Sequence, residues 1–77
     1  MEIKILGPGC PKCKTLEKMT REVVEKNGID ATVTKVEDIV AIMNYGVLTT
    51  PALVIDEKVV LKGRLPSPDE LKSLLTR

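Results

Sequence analysis

Leu6-Gly7-Pro8-Gly9-Cys10-Pro11-Lys12-Cys13-Lys14 is the stretch on which the fold turns. Ahead of it, Glu2-Ile3-Lys4-Ile5-Leu6 alternates charged and apolar residues with the two-residue period of a short strand. Two glycines around Pro8 end that strand, because the combination favours a turn over either regular structure. Pro11 suits the first residue of a helix, where its missing N–H is not needed. The helix is predicted from Pro11 to about Lys26. Cys13, Leu16, Thr20, Val23 and Val24 recur at three- and four-residue steps and so share one face. Asn27-Gly28 stops it, with Gly28 suited to the left-handed position after a helix end. Strand, tight turn and a helix opening on two cysteines form the first unit.

The remainder of the chain extends this pattern. Ile29 through Val36 reads as a strand with β-branched character. Glu37 to Asn44 reads as a short helix carrying Ile39, Val40, Ile42 and Met43 on a broad apolar face. Ala52-Leu53-Val54-Ile55 reads as a buried strand, Asp56-Glu57-Lys58 as a turn, and Val59-Val60-Leu61-Lys62 as the returning arm of a hairpin. Ser67 at the N-cap, Pro68 after it and Glu70 three residues on read as a capping box opening a last helix, with Leu71, Leu74 and Leu75 inside. The order is β-α-β-α-β-β-α. A strand–helix–strand unit is parallel with a right-handed crossover, and a short hairpin is antiparallel. The expected fold is therefore α/β, a four-stranded mixed sheet with three helices, as one domain over residues 1–77.

Composition narrows the function. The 77 residues are 43% apolar, with 12 basic and 11 acidic side chains, one tyrosine, and no histidine, tryptophan or phenylalanine. That is too apolar for a disordered segment, and no run approaches the ~18 apolar residues of a membrane helix. Met1 to Leu6 is too short and too charged for a secretory signal. A net charge of +1 with both signs interspersed leaves no basic stripe for nucleic acid. Without histidine the commonest general base and metal ligand are missing. The chemistry falls to Cys10 and Cys13, and the expectation is a cytoplasmic monomer with no cofactor and no metal.

Cys10 falls at the N-cap of the predicted helix, where several backbone N–H groups lack partners and the helix dipole is positive. Lys12 and Lys14 add positive potential. Both effects favour a thiolate, the species that attacks disulfides, so Cys10 is the expected nucleophile. Cys13 lies one turn on, within the ~4.4–6.8 Å α-carbon range of a disulfide, and on the apolar face. It is the expected resolving thiol, attacking the mixed disulfide that Cys10 forms. The exchange needs only the sulfurs. Other readings stand beside it. A structural disulfide would close a tiny loop with little entropic benefit. A zinc site needs about four ligands, where this chain offers two thiolates.

Cys10-Pro11-Lys12-Cys13-Lys14 after a first strand resembles the active site of thioredoxins and glutaredoxins. Ala41-Ile42-Met43-Asn44-Tyr45-Gly46-Val47-Leu48-Thr49-Thr50-Pro51-Ala52-Leu53-Val54-Ile55 resembles the thioredoxin segment that passes through Tyr-Gly to a cis-proline strand. Together these cover most of the chain and are similar to the minimal thioredoxin-fold, redox-active disulfide proteins of archaea and bacteria. The resemblance implies a minimal thioredoxin fold and a thiol–disulfide oxidoreductase acting as a reductant. It implies a cis Pro51 facing the cysteines, with Thr50, Pro51, Pro11 and Lys12 contacting substrate. The implied partners are disulfide-containing proteins and an upstream reductase. Three departures stand out: Pro8-Gly9 replaces the tryptophan of thioredoxins, Lys4 sits where they bury an acid, and Lys12 replaces the glutaredoxin tyrosine. The alternatives are a carrier of copper or zinc, whose usual order is β-α-β-β-α-β, and a docking domain without turnover.

Overall fold

The computed structural model describes residues 1–9 and 11–76. Its first strand, β1 (Glu2–Leu6), alternates as its sequence does. Ile3 and Ile5 join one apolar cluster, and Leu6 joins another on the opposite face. α1 (Pro11–Lys26) follows, then β2 (Thr32–Val36), α2 (Ile39–Asn44), β3 (Ala52–Ile55), β4 (Lys58–Lys62) and α3 (Pro68–Leu75). The strands form one mixed sheet in the order β2-β1-β3-β4. β1 runs parallel to β2, with Leu6 beside Val36, and antiparallel to β3, with Ile5 beside Leu53. This is the β-α-β-α-β-β-α order read from the sequence. It is not the order of small soft-metal carriers.

Two cores result. Ile3, Ile5, Leu16, Leu53, Leu61, Leu71 and Leu75 fill the space between the sheet and the pair α1 and α3. Leu6, Ile42, Val47, Ala52 and Val54 form the smaller core under α2. β3 is covered on both faces, which explains its unbroken apolar run. With Phe and Trp absent, both cores are built mainly from aliphatic side chains.

Local details differ from the sequence reading, beginning with β4, which starts at Lys58 rather than Val59. The second strand begins at Thr32, because Ile29 is used by the end of α1. Its N–H bonds to Val24 O at 3.0 Å while Gly28 N–H bonds to Glu25 O at 3.3 Å, the paired closure of a Schellman motif. α2 begins at Ile39, with Asp38 as N-cap accepting from the Ala41 N–H at 3.2 Å. Its apolar face is narrow: only Ile42 is buried, and Ile39, Val40 and Met43 are more than half exposed. At α3, Ser67 caps by accepting from the Glu70 N–H at 3.1 Å, but the Glu70 carboxylate turns to Arg64 rather than closing a capping box.

The β3–β4 hairpin turns on Asp56 and Glu57, both with positive φ (49° and 68°). Two such residues make the turn whose twist suits a two-residue hairpin. Asp56 is fixed by exchanging bonds with Glu2: its N–H donates to Glu2 O and its Oδ1 accepts from Glu2 N–H, both at 2.8 Å. Among the described residues no helix is long and apolar enough to cross a membrane.

Candidate active site

The β1–α1 turn is joined to the end of β2, with Gly7 N–H donating to Val36 O at 2.9 Å. α1 opens at Pro11, the position expected for it. Cys10, the expected nucleophile and N-cap, lies outside the described residues. Pro11 and Lys12 are exposed in the first turn of α1, whereas Cys13 is 5% exposed and disulfide-bonded. Burial follows from position: Cys13 lies on the stripe that continues through Leu16 and Thr20 into the core. The burial of Cys13 is what its place on the apolar face of the helix predicts.

Cys13 has a specific seat. A Cβ built on Gly7 would collide with its Sγ and stand 3.0 Å from its own Cβ. The same point is 3.8 Å from the Cβ of Thr50. Gly7, Cys13 and Thr50 therefore meet around one spot. Sequence reasoning assigned Gly7 only to a turn, because a glycine beside a proline already explains a turn without any neighbour.

The Thr50–Pro51 peptide is cis, as the resemblance implies, and Pro51 is buried. Its carbonyl accepts from Gly63 N–H at 2.9 Å. Gly63 has φ +76°, and a Cβ on it would stand 2.9 Å from Thr49 Oγ1. The glycine thus permits a close approach of the chain after β4 to the Thr49–Pro51 loop. Among the described residues no hydrogen bond engages the Thr50 backbone. Beside Thr50 runs an apolar groove of about 250 Å³, walled by Pro8, Ile39, Met43 and Leu48 over a floor of Ile42 and Val47. A larger hollow, about 450 Å³, lies between α1 and α3, lined by Met19, Val23 and Pro68 together with Glu22, Lys26 and Lys72.

Lys4 occupies the place where thioredoxins bury an acid, and the structure gives it other work. Its Nζ donates to Glu57 Oε1 at 2.6 Å and Tyr45 Oη at 2.8 Å, and pairs with Glu2 at 3.2 Å. These partners, Glu57 foremost, raise its pKa well above the ordinary lysine value. Lys4 in turn, with Tyr45 behind it, holds the Glu57 carboxyl below the usual carboxylate range. The six-residue α2 covers only the Leu6 end of this sheet face. Lys4 and its partners form a polar cluster on the same face. Tyr45 belongs to that cluster and to the smaller core. Among the described residues no group of three or more Cys, Asp or Glu is gathered to hold a metal ion.

Comparison with known proteins agrees with this layout. Residues 1–76 match the family model described as a thioredoxin domain. A thioredoxin of Methanothermobacter thermautotrophicus is 38% identical over 76 residues, covering 99% of each chain. A thioredoxin of Methanocaldococcus jannaschii is 40% identical over 73 residues, covering 95% of this chain and 84% of that protein. With the sheet order, the three helices and the cis Thr50–Pro51 bond, these likenesses show that the chain belongs to the thioredoxin family, as a thiol–disulfide oxidoreductase.

Proposed function

We propose that this chain reduces disulfides of protein substrates with Cys10 as nucleophile and Cys13 as resolving thiol. The observation that carries the assignment of roles is the seat of Cys13: buried against Gly7 and beside Thr50, it is poorly placed to meet a bulky substrate first. Cys10 immediately precedes Pro11, the first residue of α1, and the dipole of that helix with the charges of Lys12 and Lys14 favours a thiolate there.

The Cys10 thiolate attacks one sulfur of the substrate disulfide. A Cys10–substrate bond forms, and the other substrate sulfur leaves as a thiolate that takes up a proton. Cys13, giving up its proton, then attacks the Cys10 sulfur, forming the Cys10–Cys13 disulfide and releasing the second substrate thiol. Two electrons pass to the substrate, and an upstream dithiol reductase restores them. The backbone at Thr50, preceding cis Pro51, offers its hydrogen-bonding groups to an extended substrate segment, a short form of strand addition. Pro11 and Lys12, exposed in the first turn of α1, contact the substrate beside the motif. A dithiol carrier that must be kept reduced fits the cytoplasm.

Reduction of insulin disulfides driven by a small dithiol tests this reading. The wild-type chain should accelerate reduction well beyond the dithiol alone, and Cys10→Ser should abolish the acceleration. A wild-type chain that adds nothing to the rate would refute it.

A further inference from the structure

A carboxylate stands beside the chain leading into the cysteine motif, and the exchange chemistry above makes no use of it. β1 and β2 are parallel neighbours with Leu6 beside Val36, so the segments leaving their carboxyl ends lie together. In open α/β sheets this is where sites form. One segment carries Gly9, immediately ahead of Cys10. The other carries Glu37, whose Oε2 is 3.4 Å from the point at which a side chain on Gly9 would begin.

The charges facing Glu37 leave it only partly compensated. Lys35 Nζ is 3.6 Å from Glu37 Oε1, but it also lies 3.8 Å from Glu17 Oε1 on α1. Glu17 in turn pairs with Arg21 at 3.0 Å. One lysine is thus divided between two carboxylates, and it is about half exposed. Lys12 and Lys14, in the first turn of α1, act in the opposite sense to Glu37 on a thiolate at the motif.

We infer that Glu37 is a positioning residue that sets the reducing strength of the dithiol, by holding a negative charge next to the motif where the thiolate forms. The inference rests on the reading of Cys10 and Cys13 as a redox pair. In the relevant equilibrium the protein disulfide takes two electrons and two protons from a small dithiol, which closes to its own disulfide. Whatever stabilises the thiolate stabilises the reduced protein and makes its disulfide a stronger oxidant; an adjacent anion does the reverse and makes the dithiol a stronger reductant. Lys12 and Lys14 push the pair toward oxidising behaviour, and Glu37 pulls it back.

The test is redox equilibration of the wild-type chain against mixtures of reduced and oxidised dithiothreitol, with thiol alkylation followed against pH. Glu37→Gln should shift the equilibrium about two- to fivefold toward the reduced protein, roughly 10–20 mV at ~30 mV per tenfold for two electrons. Its alkylation midpoint should fall by a few tenths of a pH unit. Lys35→Gln should move both readouts the other way. In about 1 M salt, where the screening length is ~3 Å, the differences should shrink. Glu17→Gln, which removes the same charge farther along the ion-pair chain, should change the equilibrium less than Glu37→Gln does. Equal effects of Glu37→Gln and Glu17→Gln, or none from Glu37→Gln, overturn the inference and leave the exchange reading standing. A wild-type chain that never equilibrates with the dithiol overturns both.

Discussion

The sulfur of Cys13 occupies the space that a side chain on Gly7 would fill. The residue after β1 and the first turn of α1 are thereby in close contact, with Thr50 Cβ 3.8 Å from the same point. Cys13 is seated where Gly7 carries no side chain.

Gly7→Ala tests this directly. Gly7 is not among the glycines of positive φ, so alanine meets no backbone penalty there, and reduced freedom of the unfolded chain alone would stabilise by about 0.4–1 kcal/mol. The clash with Cys13 reverses the sign. Overpacking of this kind costs about 1–3 kcal/mol. Denaturant unfolding should show destabilisation, and resolution of a mixed disulfide should slow. A stabilised variant with unchanged exchange would mean that Cys13 sits elsewhere.

The larger core supplies a second prediction. Leu71 is fully buried on α3 and packs with Leu16, Leu53 and Leu75. Removing it leaves a cavity, so Leu71→Ala should cost about 2–5 kcal/mol. In a domain this small that is a large share of the total. The melting temperature should fall steeply, and the variant should be partly unfolded near the growth temperature of a mesophile.

The start of α3 separates two roles that the sequence merges. Ser67→Ala removes the cap and should cost about 0.5–2 kcal/mol in urea unfolding. Glu70 is tied to Arg64, with Nη1 to Oε1 at 2.7 Å, so Glu70→Gln acts through that pair. The double variant Arg64→Gln/Glu70→Gln should then be little worse than either single change. Additive losses would indicate that Glu70 works in the cap instead.

Much of this architecture is legible in the sequence where local chemistry decides it. Pro11, Gly28, Ser67 and Pro68 bound α1 and α3 through capping preferences that need no tertiary partner. Period-two alternation marks β1. What the sequence does not show depends on contacts made across the fold. Ile29 looks like strand, but the end of α1 uses its N–H. Ile39, Val40 and Met43 look like core, but a six-residue helix turns only Ile42 to the sheet. The site divides the same way. Cys13, Thr50 and Pro51 stand out in the chain, whereas the seat at Gly7 and the nearness of Glu37 to Gly9 appear only once β1 and β2 lie side by side. Lys4 and Glu57 lie 53 residues apart, and only the hairpin register unites them.

That last pair gives a pH prediction. Lys4 lowers the Glu57 carboxyl, and Arg64 lowers that of Glu70, each from the ordinary value of 4.5. A depressed carboxyl stabilises the fold at pH values above its ordinary pKa, and that contribution is lost as pH falls through the lowered value. Lys4, raised above 10.5, contributes at all lower pH values while Glu57 is charged, and loses that contribution only in strong alkali. Melting temperatures measured from pH 7 to pH 2 should fall, and should fall less in Glu57→Gln and Glu70→Gln than in wild type. Both groups are exposed, so screening keeps the effect modest. Parallel curves for all three proteins would remove these pairs from the acid response.

The division of labour between the two cysteines is tested most directly by trapping. Cys13→Ser and Cys10→Ser variants are each incubated with a disulfide-bonded protein substrate, and the products are resolved by mass spectrometry under non-reducing conditions. Cys13→Ser should accumulate a substrate adduct on Cys10, because the attacking thiol is intact and the resolving thiol is gone. Cys10→Ser should form little adduct, its remaining sulfur being buried against Gly7. Adduct accumulating instead on Cys13 in Cys10→Ser, with none in Cys13→Ser, would contradict the account.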